Sequence, residues 1–76
     1  MAKKNSAEWR NWNVRLWLNN DESLYRMARE YVRRNEGKRR LAALSILEDL
    51  HGMGLVRTPD GAQYTVASIQ HAIEDM

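Results

Sequence analysis

Apolar residues recur every three or four positions between residues 21 and 35, which is the spacing of an amphipathic helix. The residues on this apolar face are Leu24, Met27, Ala28, Tyr31 and Val32. Three good N-cap residues, Asn19, Asn20 and Asp21, come at its start. Asn19 also has the spacing of a capping box with Glu22. The pattern therefore predicts a helix over residues 21–35.

A second helix is predicted from Lys38 to about His51. Gly37 suits the C-terminal cap of the preceding helix, and Gly52 and Gly54 suit the end of this one, because glycine is common where helices stop. The residues on its predicted apolar face are Ala43, Ile46, Leu47 and Leu50, with Leu44 widening that face.

The segment after this helix has the composition of a small β-hairpin. Two β-prone runs, residues 55–58 and 63–66, flank Pro59-Asp60-Gly61. This tripeptide favours a type I turn followed by a glycine in the left-handed region. Thr65 or Ser68 can then cap a short final helix. That helix is expected to fray, because its C-terminal end is acidic.

Residues 11–20, NWNVRLWLNN, fit both a strand and a helix. Alternation supports a strand, whose apolar face would consist of Trp12, Val14, Leu16 and Leu18. Asparagine is uncommon in strands, however, whereas Ser6 is a suitable N-cap and the residues that follow it tolerate a helix. We therefore predict a helix over about residues 6–19.

This first helix would be apolar on nearly every side. The residues predicted to face the core are Trp9, Trp12 and Leu16. Val14 and Leu18 then lie on the far side, and a domain of this size has too few elements to cover both sides. Trp17 is predicted to stay accessible and to contact a partner, because tryptophan is enriched at interface hot spots.

These elements predict a mainly α protein with a little β structure (α+β): a three-helix core, a short β-hairpin and a short C-terminal helix. Residues 1–76 form one small domain, which buries only about 60% of the surface of its unfolded chain. No cysteine is present to form a disulfide or a thiolate metal site. No apolar run reaches the length of a membrane span, and residues 1–6 do not resemble a signal peptide, so we expect a cytoplasmic protein without a membrane partner.

The formal net charge of +2 hides an asymmetry along the chain. Residues 1–40 contain eleven Lys/Arg and five Asp/Glu, whereas residues 41–76 contain one and five. The basic residues predicted to contact a partner are Arg26, Arg29, Arg33, Arg34, Lys38, Arg39 and Arg40. They suit either phosphate groups or an acidic protein surface. Glu30 can instead pair with its basic neighbours and leave a charged, solvated face.

The residues do not form a pattern that carries catalysis. His51 and His71 have no Asp or Glu at a spacing that would build a metal site, and no glycine-rich phosphate loop is present. We therefore expect no enzymatic activity, cofactor, metal or small-molecule substrate. Residues 46–66 resemble the recognition helix of a winged-helix domain followed by its wing hairpin. Glu48 and Asp49 on that proposed recognition helix would, however, repel phosphate.

The run WNVRLWLNNDESLYRMA, in the first third of the chain, resembles a group of small uncharacterised proteins from phages, plasmids and integrated elements. Their pattern is close to W-N-V-x-L-W-L/I-x-N-D/E-E-x-L-Y, and the residues that match it are Trp12, Asn13, Val14, Leu16, Trp17, Leu18, Asn20, Asp21, Glu22, Leu24 and Tyr25. The resemblance implies an accessory protein of a mobile element, acting in the host cytoplasm if a phage encodes it.

Two functions follow as expectations. The first is a non-enzymatic inhibitor, such as an anti-CRISPR or other anti-defence protein, that binds a host defence complex. The alternative is a small basic helical or winged-helix-like regulator that binds nucleic acid. The sequence leaves open the oligomeric state, and whether the basic residues meet phosphate or an acidic protein surface.

Overall fold

The computed structural model describes residues 6–76. The helices in this range are α1 (Ala7–Asn20), α2 (Glu22–Arg34), α3 (Arg39–Gly52) and α4 (Val66–Ala72). Each helix contacts the next one along the chain, and α4 also packs against α1, so the four helices close around one core. The prediction that the chain lacks a signal peptide falls mostly on residues outside the described range.

Residues 11–18 are helical, as predicted, and one residue separates α1 from α2. The Trp9 N–H donates to the Ser6 side chain at 3.1 Å, which caps the start of α1. The Asp21 N–H donates to the Trp17 carbonyl at 3.0 Å and ends α1, while the Asp21 carboxylate accepts from the Leu24 N–H at 3.0 Å and starts α2. Asn19 lies inside α1, so its predicted capping box was wrong.

The apolar faces of α2 and α3 lie largely where their periodicity predicts. In α2, Ala28 and Val32 are buried and the other predicted residues pack against the core. In α3 the predicted Ala43, Ile46 and Leu50 are buried and Leu47 packs on them, but Leu44 is 41% exposed. Ala42 is buried instead of Leu44, so the face of α3 is turned slightly from the predicted one.

The predicted β-hairpin was wrong, and with it the α+β fold class. Between α3 and α4, the described residues contain one isolated antiparallel bridge, Arg57 to Gln63, and no sheet. The turn itself forms, because the Gly61 N–H donates to the Thr58 carbonyl at 2.9 Å and Gly61 has a φ of 96°. A single bridge lacks the row of cross-strand pairs that stabilises a hairpin. The protein is a small helical globule.

The loop instead enters the core through buried side chains. Thr58, Ala62 and Tyr64 are buried, and burial raises the pKa of Tyr64. At the end of the loop, Thr65 and Ser68 form a reciprocal capping box that starts α4, with hydrogen bonds of 3.0 and 2.9 Å. This cap explains how a helix of seven residues keeps a defined start.

The buried face of α1 is not the predicted one. Val14 and Leu18 are fully buried, and Trp9 packs on the core from its edge. Trp12 is 57% exposed, so its predicted core position was wrong, and Leu16 lies outside the buried core beside it. At 100° per residue, Trp12 and Val14 lie about 160° apart around the helix, so both cannot face one core. The buried core contacts the side of α1 that carries the aliphatic residues Val14 and Leu18.

The buried apolar residues form one cluster that all four helices and the loop share. Its members are Val14, Leu18, Ala28, Val32, Ala42, Ala43, Ile46, Leu50, Ala62, Tyr64, Ile69, Ala72 and Ile73. Among residues 6–76, no helix is both long and apolar enough to cross a membrane.

Candidate functional site

The outer face of α1 carries the most exposed large apolar side chain of the described residues, that of Trp12. A shallow groove of about 340 Å³ runs beside it. The residues lining this groove are Trp12, Arg15, Leu16, Asn19 and Asn20, and we call them the outer face of α1. Arg15 forms an ion pair with Asp75, so the positive charge within this face is compensated. The surface thus has an aromatic and aliphatic centre and a polar margin.

Trp17 lies on a different side of α1 and is half-buried. Its indole N–H donates to the Asp60 carboxylate at 2.9 Å. The Asn13 side-chain amide donates to the same Asp60 oxygen at 2.8 Å, and the Asn13 carbonyl oxygen accepts from the Thr58 hydroxyl at 2.5 Å. We call Asn13, Trp17, Thr58 and Asp60 the Asp60 network.

The Asp60 network joins α1 to the loop between α3 and α4. Asn13 is 1% exposed, and its amide is satisfied on both its donor and its acceptor side. The Thr58 hydroxyl in turn accepts from the Ala62 N–H at 3.0 Å, which holds the turn. The network places Trp17 against the protein itself, and a contact between Trp17 and a partner stays a prediction.

Sequence reasoning missed Asn13 and Asp60 as members of one site. Each has a common local explanation, because asparagine is tolerated in helices and aspartate is frequent in turns. A signal does exist: Asn13 and Trp17 are four residues apart, so a helix places their two N–H donors on one side. The acceptor, Asp60, lies 43 residues after Trp17, and no local sequence pattern identifies it.

Most of the predicted basic residues of α2 are already paired. Arg26 forms an ion pair with Glu22, and Arg33 and Arg34 share Glu30. The hydrogen bond from Arg33, together with the charges of Arg33 and Arg34, lowers the pKa of Glu30. These pairs are exposed, and they reduce the positive charge that α2 presents to a partner.

Arg29 and Arg39 differ from these paired arginines. The Arg29 guanidinium lies 5.8 Å from the centre of the Tyr25 ring and donates to the Tyr25 hydroxyl at 3.2 Å. Arg39 donates to the Met76 carbonyl at 2.7 Å. Neither forms an ion pair with an Asp or Glu side chain among residues 6–76. Neither charge is therefore compensated by a described Asp or Glu side chain.

An open groove of about 670 Å³ brings part of the basic set together. The residues lining this basic groove are Tyr25, Arg26, Arg29, Glu30, Val32, Arg33, Glu36, Gly37, Arg39 and Met76. Arg34, Lys38 and Arg40 are not among them. The structure thus unites four of the seven predicted basic residues in one concave surface.

The two histidines lie at separate places. His51 is exposed near the end of α3, and His71 lies in α4, with a buried Nδ1 that has no hydrogen-bond partner among residues 6–76. In the same part of the chain, no three His, Cys, Asp or Glu side chains gather as metal ligands would. The expectation of a non-enzymatic protein stays a prediction.

Residues 5–76 match the family of unknown function DUF7249, and the chain belongs to this family. This match covers nearly the whole chain, whereas the resemblance to mobile-element proteins drawn from the sequence rested on the first third. No curated protein and no solved structure matches the chain. Membership therefore brings no activity or partner with it, and an origin in a phage or plasmid stays a prediction.

Proposed function

We propose that this DUF7249 protein is a non-enzymatic binding protein whose outer face of α1 docks on another protein. The observation that carries the proposal is the exposure of Trp12, which leaves 57% of a tryptophan in contact with water at the middle of a helix. Exposing a large aromatic ring forfeits the free energy of its burial. A partner that covers Trp12 would recover that free energy.

The composition of this face favours a protein partner over nucleic acid. Trp12 and Leu16 supply an apolar centre, and Asn19 and Asn20 supply a polar margin, which is the usual arrangement of a protein interface. Arg15, the cation of this face, is already paired with Asp75. A surface with compensated charge has little attraction for phosphate groups.

The more specific form of the proposal is an inhibitor of a host defence complex of the CRISPR type. Its support is the resemblance of the WNVRLWLNNDESLY run to small proteins of mobile elements, and three of the matching residues, Trp12, Leu16 and Asn20, line the outer face of α1. Small inhibitors without catalytic groups act by covering a surface that their target needs. The outer face of α1 is a surface suited to that mode of action.

The test combines inhibition with direct binding. Purified protein is added to a panel of CRISPR effector complexes, and both DNA cleavage and binding to the immobilised effector are measured. We expect one effector to be bound and inhibited, and Trp12→Ala to weaken that complex by about 2 kcal/mol or more, as truncation of an interface anchor does. Binding that survives Trp12→Ala unchanged would contradict the assignment of this face.

A matched control separates the outer face of α1 from exposed apolar surface in general. Met53 is 53% exposed, a fraction similar to the 57% of Trp12, and it does not line the groove of the outer face of α1. Met53→Ala should therefore leave affinity within about a factor of two of the parent. Concentration-dependent self-association that Trp12→Ala abolishes would instead identify a second copy of this chain as the partner.

The alternative function, a small basic regulator that binds nucleic acid, is favoured by one observation: two arginines of the basic groove, Arg29 and Arg39, pair with no Asp or Glu side chain among residues 6–76. Its winged-helix form lacks support, because the described loop between α3 and α4 contains no strand pair to act as a wing. The basic helical form can be tested by a mobility shift with duplex DNA. A sequence-specific complex that persists at physiological salt would place this function ahead of protein inhibition.

A further inference from the structure

We propose that the basic groove binds the phosphodiester backbone of a nucleic acid without reading its sequence, and that Arg29 and Arg39 carry most of this binding. The site is separate from the outer face of α1, because the two grooves share no lining residue. The protein would then have two binding surfaces, one for a protein and one for phosphate groups.

The partners of each arginine distinguish the residues that can bind phosphate. Arg26 and Arg33 line the basic groove, but their guanidinium groups already contact Glu22 and Glu30. A phosphate would have to displace those carboxylates or share the guanidinium with them. Among residues 6–76, Arg29 donates to the neutral hydroxyl of Tyr25, and Arg39 donates to a main-chain oxygen of Met76. Neither guanidinium is paired with an Asp or Glu side chain among residues 6–76.

Tyr25 also prepares Arg29 for binding. Its hydroxyl accepts from Arg29, and its ring lies beneath the guanidinium at 5.8 Å. A guanidinium held in this way loses less conformational freedom when it contacts a ligand than one that moves freely in water. The planar fork of its N–H groups matches two oxygens of one phosphate.

The arrangement along α2 favours a linear polyanion over a single small anion. Arg26, Arg29 and Arg33 are three and four residues apart, so at 1.5 Å per residue they form a row about 10 Å long. A strand of nucleic acid carries one negative charge per about 3.4 Å of helix axis, and a row of this length meets several of them. The basic groove has no exposed aromatic centre comparable to Trp12, so a protein interface fits it less well.

The test measures fluorescence anisotropy of a labelled 20-base-pair DNA duplex, and of one of its strands, at several salt concentrations. We expect the parent to bind at low salt, with a logarithm of the binding constant that falls linearly with the logarithm of salt concentration. Arg29→Ala should weaken binding by about threefold to tenfold and reduce the salt slope by about one. Arg39→Ala should behave in the same way, since it removes an equivalent contact.

Two controls remove the same charge without removing a proposed contact. Arg57→Ala alters a residue that does not line the basic groove, and Arg34→Ala alters one that lies outside the groove and is paired with Glu30. Each should weaken binding by less than about twofold, because nonspecific attraction depends only modestly on a single charge. Circular dichroism of every variant confirms that the helices are intact, which matters most for Arg39→Ala.

Three outcomes would overturn the proposal. The first is the absence of binding at low salt by the folded parent protein. The second is an equal loss for Arg29→Ala and Arg57→Ala, which would show attraction by overall charge alone. The third is a poly-glutamate chain that competes as well as unlabelled DNA of equal charge, because the basic groove would then favour acidic proteins.

Discussion

Helices α1 and α2 are neighbours of nearly equal length, yet they divide apolar and polar residues in opposite ways. In α2, one side holds the core residues and the other the arginines, so the pattern alone identifies its buried face. In α1, apolar residues surround the axis, and two opposite sides could each have served as the core face. The structure buries the side with Val14 and Leu18 and exposes Trp12.

The difference shows that hydrophobicity decides a buried face only when the alternative face is polar. On α1, both candidate faces are apolar, so the shape and hydrogen bonds of the surrounding elements decide. Asn13 lies 100° from Val14 around the helix and bonds to the loop, which fixes the rotation of α1 about its axis. A buried amide with both sides satisfied specifies one orientation that aliphatic packing alone would not.

The strongest test of this comparison is Leu18→Ala. Leu18 is fully buried, so the substitution removes apolar contacts and leaves a cavity, at a cost of about 2 to 5 kcal/mol. A small domain has little stability beyond that amount, so urea denaturation should show a largely unfolded variant. A melt within about 1 kcal/mol of the parent would mean that the aliphatic side of α1 is not its core face.

The second test removes the hydrogen bonds that orient α1. Asp60→Ala leaves the N–H groups of Asn13 and Trp17 without their shared acceptor, and we expect a loss of about 1 to 2 kcal/mol. Asp60→Asn keeps one acceptor oxygen and should lose less. Urea denaturation monitored by tryptophan fluorescence measures both variants. Equal stability of Asp60→Ala and the parent would show that packing alone orients α1.

The third test concerns the exposed side of α1. Trp12→Ala should cost within about 1 kcal/mol of folding stability, because most of this side chain already contacts water. Trp17→Ala should cost more, since Trp17 is half-buried and bonds to Asp60. Thermal melts of the two variants in parallel check the order. If Trp12→Ala lowers the melting temperature more than Trp17→Ala does, then the side of α1 with Trp12 is the buried one, contrary to this structure.

The smallest expected effect belongs to the charged side of α2. Glu30→Gln removes the carboxylate that Arg33 and Arg34 share, and exposed ion pairs of this kind contribute little to stability. The folded pKa of Glu30 lies below its ordinary value of 4.5, so its contribution is present above that value and lost as pH falls through the folded pKa. Melts at pH 7 should thus separate variant and parent slightly, and the gap should shrink as the pH falls through the folded pKa; a gap that widens in acid would contradict this.

Local signals were sufficient for several elements of this fold. Periodicity located α2 and α3 and most of their buried residues, and the choice of a helix for residues 11–18 was confirmed. Cap residues and glycine marked boundaries because their hydrogen bonds and backbone angles depend on only a few neighbouring residues. The Pro59-Asp60-Gly61 turn was recognised for the same reason, although the strands beside it did not form.

The candidate sites depended far more on tertiary structure. Composition identified the basic residues, but the distinction between Arg26, which pairs with Glu22, and Arg29, which contacts Tyr25, follows from the positions of neighbouring side chains. Residues 55–58 and 63–66 have strand propensity, but in the structure they share only one isolated bridge. Thr58, Ala62 and Tyr64 are instead buried against the helices. A two-stranded ribbon is marginal by itself, so this segment depends on its packing against the helices.

The sequence by itself determined where helices form, because helix periodicity and caps are interactions between residues a few positions apart. Which side of α1 meets the core was decided only in the folded protein, because both sides are apolar and the acceptor that orients the helix, Asp60, lies more than forty residues away. The exposure of Trp12 follows from that long-range choice. The surface that we propose for binding was therefore selected by tertiary contacts.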